Sequence, residues 1–233
     1  MNEFSLASFQ EGQLLLIDKP LKWTSFDVVN KIRWLIKRQF GIKKIKVGHA
    51  GTLDPLASGL LIICTGKMTK RIEELMGNEK TYLAKICFGA TTPSYDLEQE
   101  VDATFPSDHI NEAEILKVLP DFTGTIQQKP PVHSAIKKDG KKLYEYARKN
   151  EEVEIPSREV VIHRLAVLNF DHPYVELEIN SSKGTYIRSL AHDLGKALQS
   201  GAYLAGLERT KIGQHSIDDA MSITQFEEKL GQA

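Results

Sequence analysis

Residues 48–59 read Gly-His-Ala-Gly-Thr-Leu-Asp-Pro-Leu-Ala-Ser-Gly and lead directly into the apolar run Leu60–Cys64. The run predicts a buried strand, and the three glycines before it allow a backbone to approach a ligand closely. Pro55 restricts Asp54 to an extended conformation, which predicts a carboxylate held in a fixed place at the rim of a sheet. The alternative is an aspartate that only forms an Asx turn before proline.

A second dense stretch, Ser181–Arg188, reads Ser-Ser-Lys-Gly-Thr-Tyr-Ile-Arg. Its strand residues lead through a glycine turn into a helix whose first turn carries Tyr186 and Arg188, and helix N-termini favour anions. Arg188 is a candidate partner for a buried carboxylate, whose pKa it would lower. The alternative is a structural ion pair. Tyr82, in the predicted strand 81–88, is either a site residue or part of the core.

Hydrophobic patterning predicts strands and helices over most of the chain. Strands are predicted at 13–18, 60–64, 81–88, 160–170, 174–181 and 202–210. Helices are predicted at 25–39, 68–76, 107–119, 141–149 and 187–198, with a last one after Ser222. The first helix begins at a capping box of Thr24 and Asp27 and ends near Gly41, and Ser107 is the predicted cap of the third. The order is too irregular for a doubly wound parallel sheet, so the predicted class is α+β.

The charges are distributed in blocks. The 233 residues include 30 Lys and Arg and 31 Asp and Glu, a net charge of −1, which by itself disfavours a nucleic-acid partner. Residues 19–85, however, hold 14 basic and 5 acidic side chains, residues 126–149 hold 7 and 2, and residues 86–125 hold 1 and 8. Two basic blocks favour binding to a polyphosphate backbone, the alternative being solvated lysine-rich faces. We expect a polarised molecule, with a basic cleft that faces nucleic acid and an acidic back.

Several classes of protein are excluded by what the sequence lacks. No apolar run approaches the roughly 20 residues that span a bilayer, and Met1–Glu11 lacks the features of a signal peptide. Cys64 and Cys87 lie in apolar runs without CxxC spacing, which predicts reduced core residues in a cytoplasmic protein. The histidines form no metal-ligand pattern, Gly66-Lys67 fails the P-loop pattern, and no GxGxxG follows a predicted strand.

Four separated motifs occur in a characteristic order along the chain. They are Leu-Leu-Ile-Asp-Lys-Pro at 15–20, the 48–59 stretch, Lys-Thr-Tyr at 80–82 and Ser-Lys-Gly-Thr-Tyr-Ile-Arg at 182–188. With these motifs the sequence resembles the TruB-type tRNA pseudouridine synthases over nearly the whole chain. The stretch 130–148, which contains Pro-Pro-Val-His-Ser-Ala-Ile-Lys, is similar to the RNA-gripping insertion of that family.

The resemblance implies the pseudouridine synthase fold, a mixed and mostly antiparallel central sheet flanked by helices. It implies one catalytic domain over residues 1–233, with residues 124–150 inserted as a basic, thumb-like RNA-binding arm. About twenty residues follow Gly213, too few for the C-terminal PUA domain of many relatives, so we expect that domain to be absent. The family's T-x-T-x-D pattern reads here as Thr91–Asp96, with its second threonine displaced.

The resemblance also implies an activity, the isomerisation of uridine 55 in the T loop of tRNA to pseudouridine after base flipping. The partner would be the T-arm of tRNA. The enzyme is expected to be bacterial, cytoplasmic and monomeric, and to need no membrane, protein partner, metal or other cofactor. Two other functions stay open, a non-catalytic RNA-binding or RNA-folding module and the same chemistry on a different RNA.

Three residues match catalytic positions of the family. Asp54 matches the essential aspartate, Tyr82 the tyrosine that stacks on the flipped base, and Arg188 the arginine that pairs with the aspartate. A glycosidase needs two carboxylates, and the 48–59 stretch has one, which is typical of isomerisation by a single nucleophile. Whether Asp54 attacks the sugar or the base ring, or only removes a proton, the sequence leaves open.

Four further residues match substrate-binding positions. His49 matches a histidine that contacts the T loop during flipping. Lys19, with Pro20, matches a residue that supports the active-site loop. Tyr186 and Leu207 match residues of the pocket wall, Leu207 within a stretch that reads Leu-Glu-Arg-Thr.

Overall fold

The computed structural model describes residues 4–134, 137–138, 140–143, 146, 151 and 153–232. The chain divides into two compact units. Unit 1 consists of Met1–Tyr82 and Glu208–Ala233, and unit 2 consists of Leu83–Leu207. The stretch 48–59 therefore belongs to unit 1, whereas Ser181–Arg188 belongs to unit 2.

Helices and strands alternate irregularly along the chain. The helices are α1 (Leu6–Glu11), α2 (Ser25–Phe40), α3 (Ile72–Met76), α4 (Glu112–Val118), α5 (Ile187–Ala197) and α6 (Ile223–Gly231). The 3₁₀ helices are Gly66–Arg71, Leu119–Phe122 and Ile217–Asp219. The strands are β1 (Leu14–Lys19), β2 (Val47–His49), β3 (Ala57–Thr65), β4 (Lys80–Phe88), β5 (Ala90–Thr91), β6 (Ala103–Thr104), β7 (Gly124–Gln128), β8 (Lys137–Lys138), β9 (Lys141–Lys142), β10 (Arg158–Asp171), β11 (Tyr174–Ser181), β12 (Ala202–Ile212) and β13 (His215–Ser216).

Helix α2 begins and ends where its sequence predicts. The Thr24 hydroxyl accepts a hydrogen bond from the Asp27 backbone N–H at 3.0 Å, and the Asp27 carboxylate accepts one from the Thr24 backbone N–H at 2.9 Å. These two bonds form the predicted capping box. The helix ends at Gly41, whose φ of 62° is a left-handed conformation that glycine adopts without strain. Its buried residues are Ser25, Val28, Val29, Ile32, Leu35 and Ile36.

Strand β3 is apolar along its length because both of its faces are buried. Leu61 and Ile63 pack into a core cluster that also holds the buried faces of α1, α2 and α6. Leu60 and Ile62 pack on the opposite face, in a second cluster with Leu75 of α3. Complete burial of each of these side chains contributes about 1.5–3 kcal/mol to folding, which explains the unbroken apolar run.

The pairing of β3 with its neighbours brings the 15–20 and 48–59 motifs side by side. β1 pairs with β3 antiparallel and ends with Lys19 opposite Gly59. β2 also pairs with β3 antiparallel and ends with His49 opposite Ile63. Residues 50–56 connect β2 to β3, so this connection begins beside His49 and runs to the end of β3 at which Lys19 lies.

Unit 2 contains an antiparallel meander. β10 pairs with β11 across the turn at His172–Pro173, and β7 pairs with β10, with Gln128 opposite Arg158. The first turn of helix α5 is buried all round, and the buried residues of the helix are Ile187, Arg188, Ser189, Leu190, Ala191, Leu194 and Gly195. Arg188 is thus a buried charged side chain, and an unpaired charge there would be costly.

Three local predictions were wrong in detail. Helix α4 begins at Glu112 and not after Ser107, because the Asn111 side chain accepts a hydrogen bond from the Glu114 backbone N–H and caps the helix there. Residues 66–71 form a 3₁₀ helix ahead of α3, where the pattern predicts one continuous helix over 68–76. Residues 47–49 form β2, although the glycines, proline and small residues of 47–59 predict a loop there.

The predicted basic arm at 124–150 begins as part of a sheet. Residues 124–128 are strand β7, which pairs with β10. Farther along, β8 pairs with β9, so residues 141–142 are strand where the sequence predicts the start of a helix. The rest of the predicted helix 141–149 lies largely outside the described residues.

The α+β class predicted from the sequence is confirmed. Helices pack against a mostly antiparallel sheet, and the strand pairings within each unit given above are all antiparallel. Cys64 and Cys87 are free thiols in buried positions, as predicted. In the part of the chain that the structure describes, no helix is long and apolar enough to cross a bilayer.

Candidate active site

Two hydrogen bonds hold the backbone on the C-terminal side of Asp54. The Asp54 carbonyl oxygen accepts from the Ala57 N–H at 3.1 Å, which closes a turn into β3. The Pro55 carbonyl oxygen accepts from the Lys22 N–H at 2.7 Å. The Asp54 side chain is half-buried. This carboxylate therefore projects from a turn whose peptide groups have fixed orientations.

Lys19 places a buried ammonium group close to the Asp54 carboxylate. The side chain has no exposed surface, and its Nζ donates to the carbonyl oxygens of Pro20 and Trp23. Burial lowers the pKa of Lys19 to about 8, and among the charges that raise it again Asp54 is the strongest. The cation is thus a buried counter-charge to the Asp54 carboxylate.

Arg209 on β12 links the loop 50–56 to Tyr82. Arg209 is 1% exposed, and its Nε donates to the Leu60 carbonyl oxygen at 2.8 Å. Its Nη2 and Nη1 donate to the carbonyl oxygens of Gly51 at 3.1 Å and Thr52 at 3.4 Å. The guanidinium also interacts electrostatically with the Tyr82 side chain, and burial lowers the pKa of Arg209. One planar cation therefore holds the loop before Asp54 and interacts with the phenol of Tyr82.

Gly59 allows β3 to approach β12 closely enough for these Arg209 contacts. A Cβ atom at residue 59 would lie 2.4 Å from the carbonyl oxygen of Arg209 and 2.8 Å from the backbone nitrogen of Arg209. Its φ of 101° is also in the region that favours glycine. Arg209 was not predicted as a site residue, because only Leu207 of that stretch matches a position of the family. The signal that could have indicated Arg209 is a positively charged residue inside a strand that is predicted to be buried.

Replacing Arg209 by lysine should destabilise the protein although the charge is kept. A lysine has no planar fork, so it cannot reach the Gly51, Thr52 and Leu60 carbonyl oxygens together. Each carbonyl left buried without a donor costs about 1–3 kcal/mol, and urea unfolding measures the sum. The matched control is Arg164→Lys, at an exposed ion pair with Glu178, where we expect a change within about 0.5 kcal/mol. An equal effect of the two substitutions would contradict the role of Arg209.

His49 lies at the end of β2, one residue before the buried Ala50. The histidine is half-buried, and burial lowers its pKa, with a smaller opposing effect of a backbone hydrogen bond to Gly51. His49 is therefore a neutral imidazole at pH 7, since its ordinary pKa is already about 6.5. A neutral ring adds no charge to the site and presents a donor and an acceptor.

In unit 2, Arg188 forms a buried ion pair with Asp96. The two side chains are 5% and 7% exposed, and Nη1 of Arg188 lies 3.6 Å from Oδ2 of Asp96. The guanidinium also donates to the carbonyl oxygens of Ser94 at 3.3 Å and His133 at 3.0 Å. Sequence analysis named Asp54 as the partner of Arg188 and missed Asp96. The pairing with Asp54 stays a prediction.

The loop that carries Asp96 is fixed by two hydroxyl groups. Thr92 and Ser94 both donate to the Asp96 carbonyl oxygen, at 2.7 and 3.2 Å. They lie at alternate positions before Asp96, so Ser94 occupies the place of the second threonine in the T-x-T-x-D pattern. The expectation of a displaced threonine is therefore corrected to a conservative replacement by serine.

Tyr186 is held at the N-terminus of α5 by Gln128 of β7. The Gln128 amide nitrogen donates to the Tyr186 carbonyl oxygen at 3.0 Å, and the amide oxygen accepts from the Tyr186 N–H at 2.8 Å. The Arg158 guanidinium lies 4.8 Å from the centre of the Tyr186 ring. These contacts fix the backbone and ring of a predicted pocket-wall residue, and Gln128, like Arg209 and Asp96, was not predicted from the sequence. Leu207, the other wall residue, is half-buried on β12.

Comparison with known protein families identifies the family to which the chain belongs. The family described as TruB family pseudouridylate synthase (N-terminal domain) matches residues 37–187. The chain belongs to the TruB family of pseudouridylate synthases. This confirms the resemblance inferred from the four sequence motifs, since the match includes the 48–59 and 182–187 stretches.

Individual proteins of the TruB family match almost the whole chain. A Flavobacterium johnsoniae protein named tRNA pseudouridine synthase B is 56% identical over 223 residues, which cover 95% of this chain and 97% of that protein. A protein of the same name from Phocaeicola vulgatus is 54% identical over 97% of this chain and 96% of its own length. The similarity thus extends beyond the region that the family match covers.

Solved structures related to the TruB family share the fold. The chain is similar to one in the crystal structure of a Cbf5-Nop10-Gar1 complex, with a TM-score of 0.70 and 28% identity over 94% of this chain. It spans about half of that longer chain, 54% of its length. The predicted pseudouridine synthase fold is therefore confirmed.

The residues matched to TruB positions fall into two sets. Unit 1 holds Lys19, His49, Asp54 and Tyr82, and Lys19 and Asp54 interact electrostatically there. Unit 2 holds the other three, which are Tyr186, Arg188 and Leu207. Within the described residues, no group of three His, Cys, Asp or Glu side chains is placed to hold a metal ion.

Proposed function

We propose that this TruB family protein converts uridine 55 in the T loop of tRNA to pseudouridine. The observation that carries the proposal is the Asp54 carboxylate, held on a hydrogen-bonded turn beside the buried Lys19 cation. The relatives named tRNA pseudouridine synthase B support tRNA as the substrate. Position 55 within tRNA is part of the proposal, and the resemblance of the sequence motifs to the TruB type supports it.

The reaction is an isomerisation that needs no external reactant. The bond between C1′ of the ribose and the ring nitrogen of uracil breaks, the base turns, and a bond between C1′ and C5 forms. The hydrogen on C5 leaves as a proton, and the freed ring nitrogen gains one. Because the atoms and electrons balance, the reaction requires no redox cofactor. One carboxylate can serve it, as a nucleophile or as a base.

The substrate base has to leave the stacked T loop to reach Asp54. Flipping a base costs a few kcal/mol, and stacking on an aromatic ring recovers about 1–3 kcal/mol. We propose Tyr82 for this role, because it matches the stacking tyrosine of the TruB-type motifs; the residue is 8% exposed and interacts with Arg209. A ring that is already ordered loses little entropy when the base stacks on it.

The proposed partner is the T-arm of tRNA, bound by a single copy of the protein in the cytoplasm. The basic block 19–85 supplies exposed cations for the phosphates, among them Lys43, Lys44 and Lys46 on the chain before β2. Binding through such cations releases counterions and weakens steeply with salt.

Release of tritium from tRNA that carries 5-tritiated uridine tests the proposed activity. The wild-type protein should release the label that corresponds to one uridine in each tRNA. A transcript with cytidine at position 55 is the matched control and should release none. Strong, salt-dependent tRNA binding without tritium release would instead identify a non-catalytic RNA-binding module.

Because of Lys19, stability and activity should change in opposite directions as the pH rises. Burial lowers its pKa from 10.5 to about 8, so between these values the unfolded chain binds more protons than the folded protein. The contribution of Lys19 to stability therefore rises with pH across this window. Turnover should fall above about pH 8, because the cation beside Asp54 is lost.

The control for this prediction is Lys19→Met, which cannot titrate. Urea unfolding and single-turnover rates of both proteins are compared from about pH 7 to about pH 10. The free energy of unfolding of the wild type, relative to that of the variant, should rise with pH. The decline in rate with a midpoint near 8 should be absent from the variant. A wild-type rate that stays level through this range would contradict the role of the Lys19 charge.

A further inference from the structure

The residue before Asp54 is held by one buried side chain from another part of unit 1. The Ser25 hydroxyl oxygen accepts a hydrogen bond from the Leu53 N–H at 2.9 Å. The same hydroxyl donates to the Leu53 carbonyl oxygen at 3.1 Å. Ser25 and Leu53 are 2% and 4% exposed, so water does not replace these contacts. Both backbone polar groups of Leu53 are thus satisfied by a single serine.

This contact completes the control of the Asp54 backbone. The Leu53 carbonyl belongs to the peptide group on the N-terminal side of Asp54, and Ser25 fixes its orientation. The peptide group on the C-terminal side is fixed by the Ala57 N–H, which donates to the Asp54 carbonyl oxygen. With both peptide planes set, the direction in which the Asp54 side chain leaves the backbone is determined.

Ser25 is itself attached to a rigid part of the molecule. It is the first residue of α2, which extends over 16 residues and is closed at its start by the capping box of Thr24. The buried face of this helix packs into the main core cluster of unit 1. The hydroxyl therefore connects the loop that carries Asp54 to the core, which is the support that a preorganised catalytic group needs.

We propose that Ser25 is a positioning residue for the Asp54 carboxylate. The inference rests on the proposed function, because Asp54 has to be the reacting group for its placement to affect turnover. Ser25 does not need to contact the RNA. Its removal should lower the rate of the chemical step and leave tRNA binding unchanged, because a shift of the reacting atom by about 1 Å costs about 10²-fold.

The test compares Ser25→Ala with the matched control Ser222→Ala. Ser222 is the cap of α6 in the same unit, and its hydroxyl also accepts from a backbone N–H, that of Gln225 at 3.1 Å. Both substitutions remove a serine hydroxyl that bonds to the backbone, and only the first touches the Asp54 loop. Single-turnover rates with saturating protein, tRNA dissociation constants and thermal midpoints are measured for both variants and for wild type.

We expect S25A to lower the single-turnover rate about 10- to 100-fold, with a tRNA dissociation constant within about twofold of wild type. S222A should keep the wild-type rate at a comparable loss of thermal stability. Ser25→Cys is the second variant for the case in which S25A does not fold. Its thiol is a weak donor and acceptor, so the rate should lie between those of wild type and S25A.

Each outcome decides the inference. An S25A rate within twofold of wild type, or an equal loss of rate in S222A, would overturn it and leave the proposed function in place. If S25A is unfolded, a wild-type rate in S25C would overturn it likewise. A wild-type protein that forms no pseudouridine would overturn the proposed function, and the positioning role with it.

Discussion

Asp54→Asn should bind tRNA like the wild-type protein and form no detectable pseudouridine. The amide is almost the same size as the carboxylate, so the turn closed by Ala57 and the contacts of Leu53 and Pro55 with the rest of unit 1 are kept. An uncharged amide is neither a nucleophile nor a base at neutral pH. We expect the single-turnover rate to fall by at least about 10³-fold, as for removal of the reacting group in other enzymes.

Tritium release and filter binding on the same preparation separate the two effects. The dissociation constant for tRNA should stay within about threefold of wild type, which would show that the variant is folded and competent to bind. Asp18→Asn is a suitable control, because Asp18 is an exposed acid on β1, next to Lys19 in the chain. Appreciable tritium release by D54N would remove Asp54 from the reaction.

Arg188→Ala should lose both stability and turnover. The substitution leaves the buried Asp96 carboxylate without the cation that lies 3.6 Å away, and breaking such a pair costs about 3–5 kcal/mol. Turnover should fall by about 10²–10³-fold, because the role predicted for Arg188 is to keep the Asp54 carboxylate ionised and oriented. Arg164→Ala, at an exposed ion pair, should change stability by less than about 1 kcal/mol.

The double variant Arg188→Ala with Asp96→Ala separates the two roles of Arg188. Removing the carboxylate as well removes the uncompensated buried charge, so the double variant should be more stable than R188A by at least about 1 kcal/mol. Its turnover should stay as low as that of R188A, because the guanidinium is still missing. Recovery of turnover together with stability would mean that Arg188 has only a structural role.

Local signals explain which parts of the fold could be predicted from the sequence. The start of α2 depends on Thr24 and Asp27, which lie three residues apart, and its end depends on Gly41 alone. Asp54 stood out because Pro55 restricts its backbone and the glycines of the same short loop allow a ligand to approach closely. Features of this kind are encoded within a few neighbouring residues, so one sequence is sufficient to find them.

The missed features depend on residues that are distant along the chain. Arg209 contacts the carbonyl oxygens of Gly51 and Thr52, and Asp96 pairs with Arg188. Ser25 lies beside a helix cap, where a serine is common whatever else it contacts. Residue type and local spacing carry no information about which distant backbone groups a side chain will meet.

The Asp54 carboxylate, on its hydrogen-bonded loop, is the group that we propose isomerises uridine 55 of tRNA. The most direct test is to map pseudouridine at each position of an unmodified tRNA transcript, before and after incubation with the wild-type protein and with Asp54→Asn. We expect one new pseudouridine, at position 55, with wild type and none with the variant. Pseudouridine at another position, at no position, or at position 55 with both proteins would contradict it.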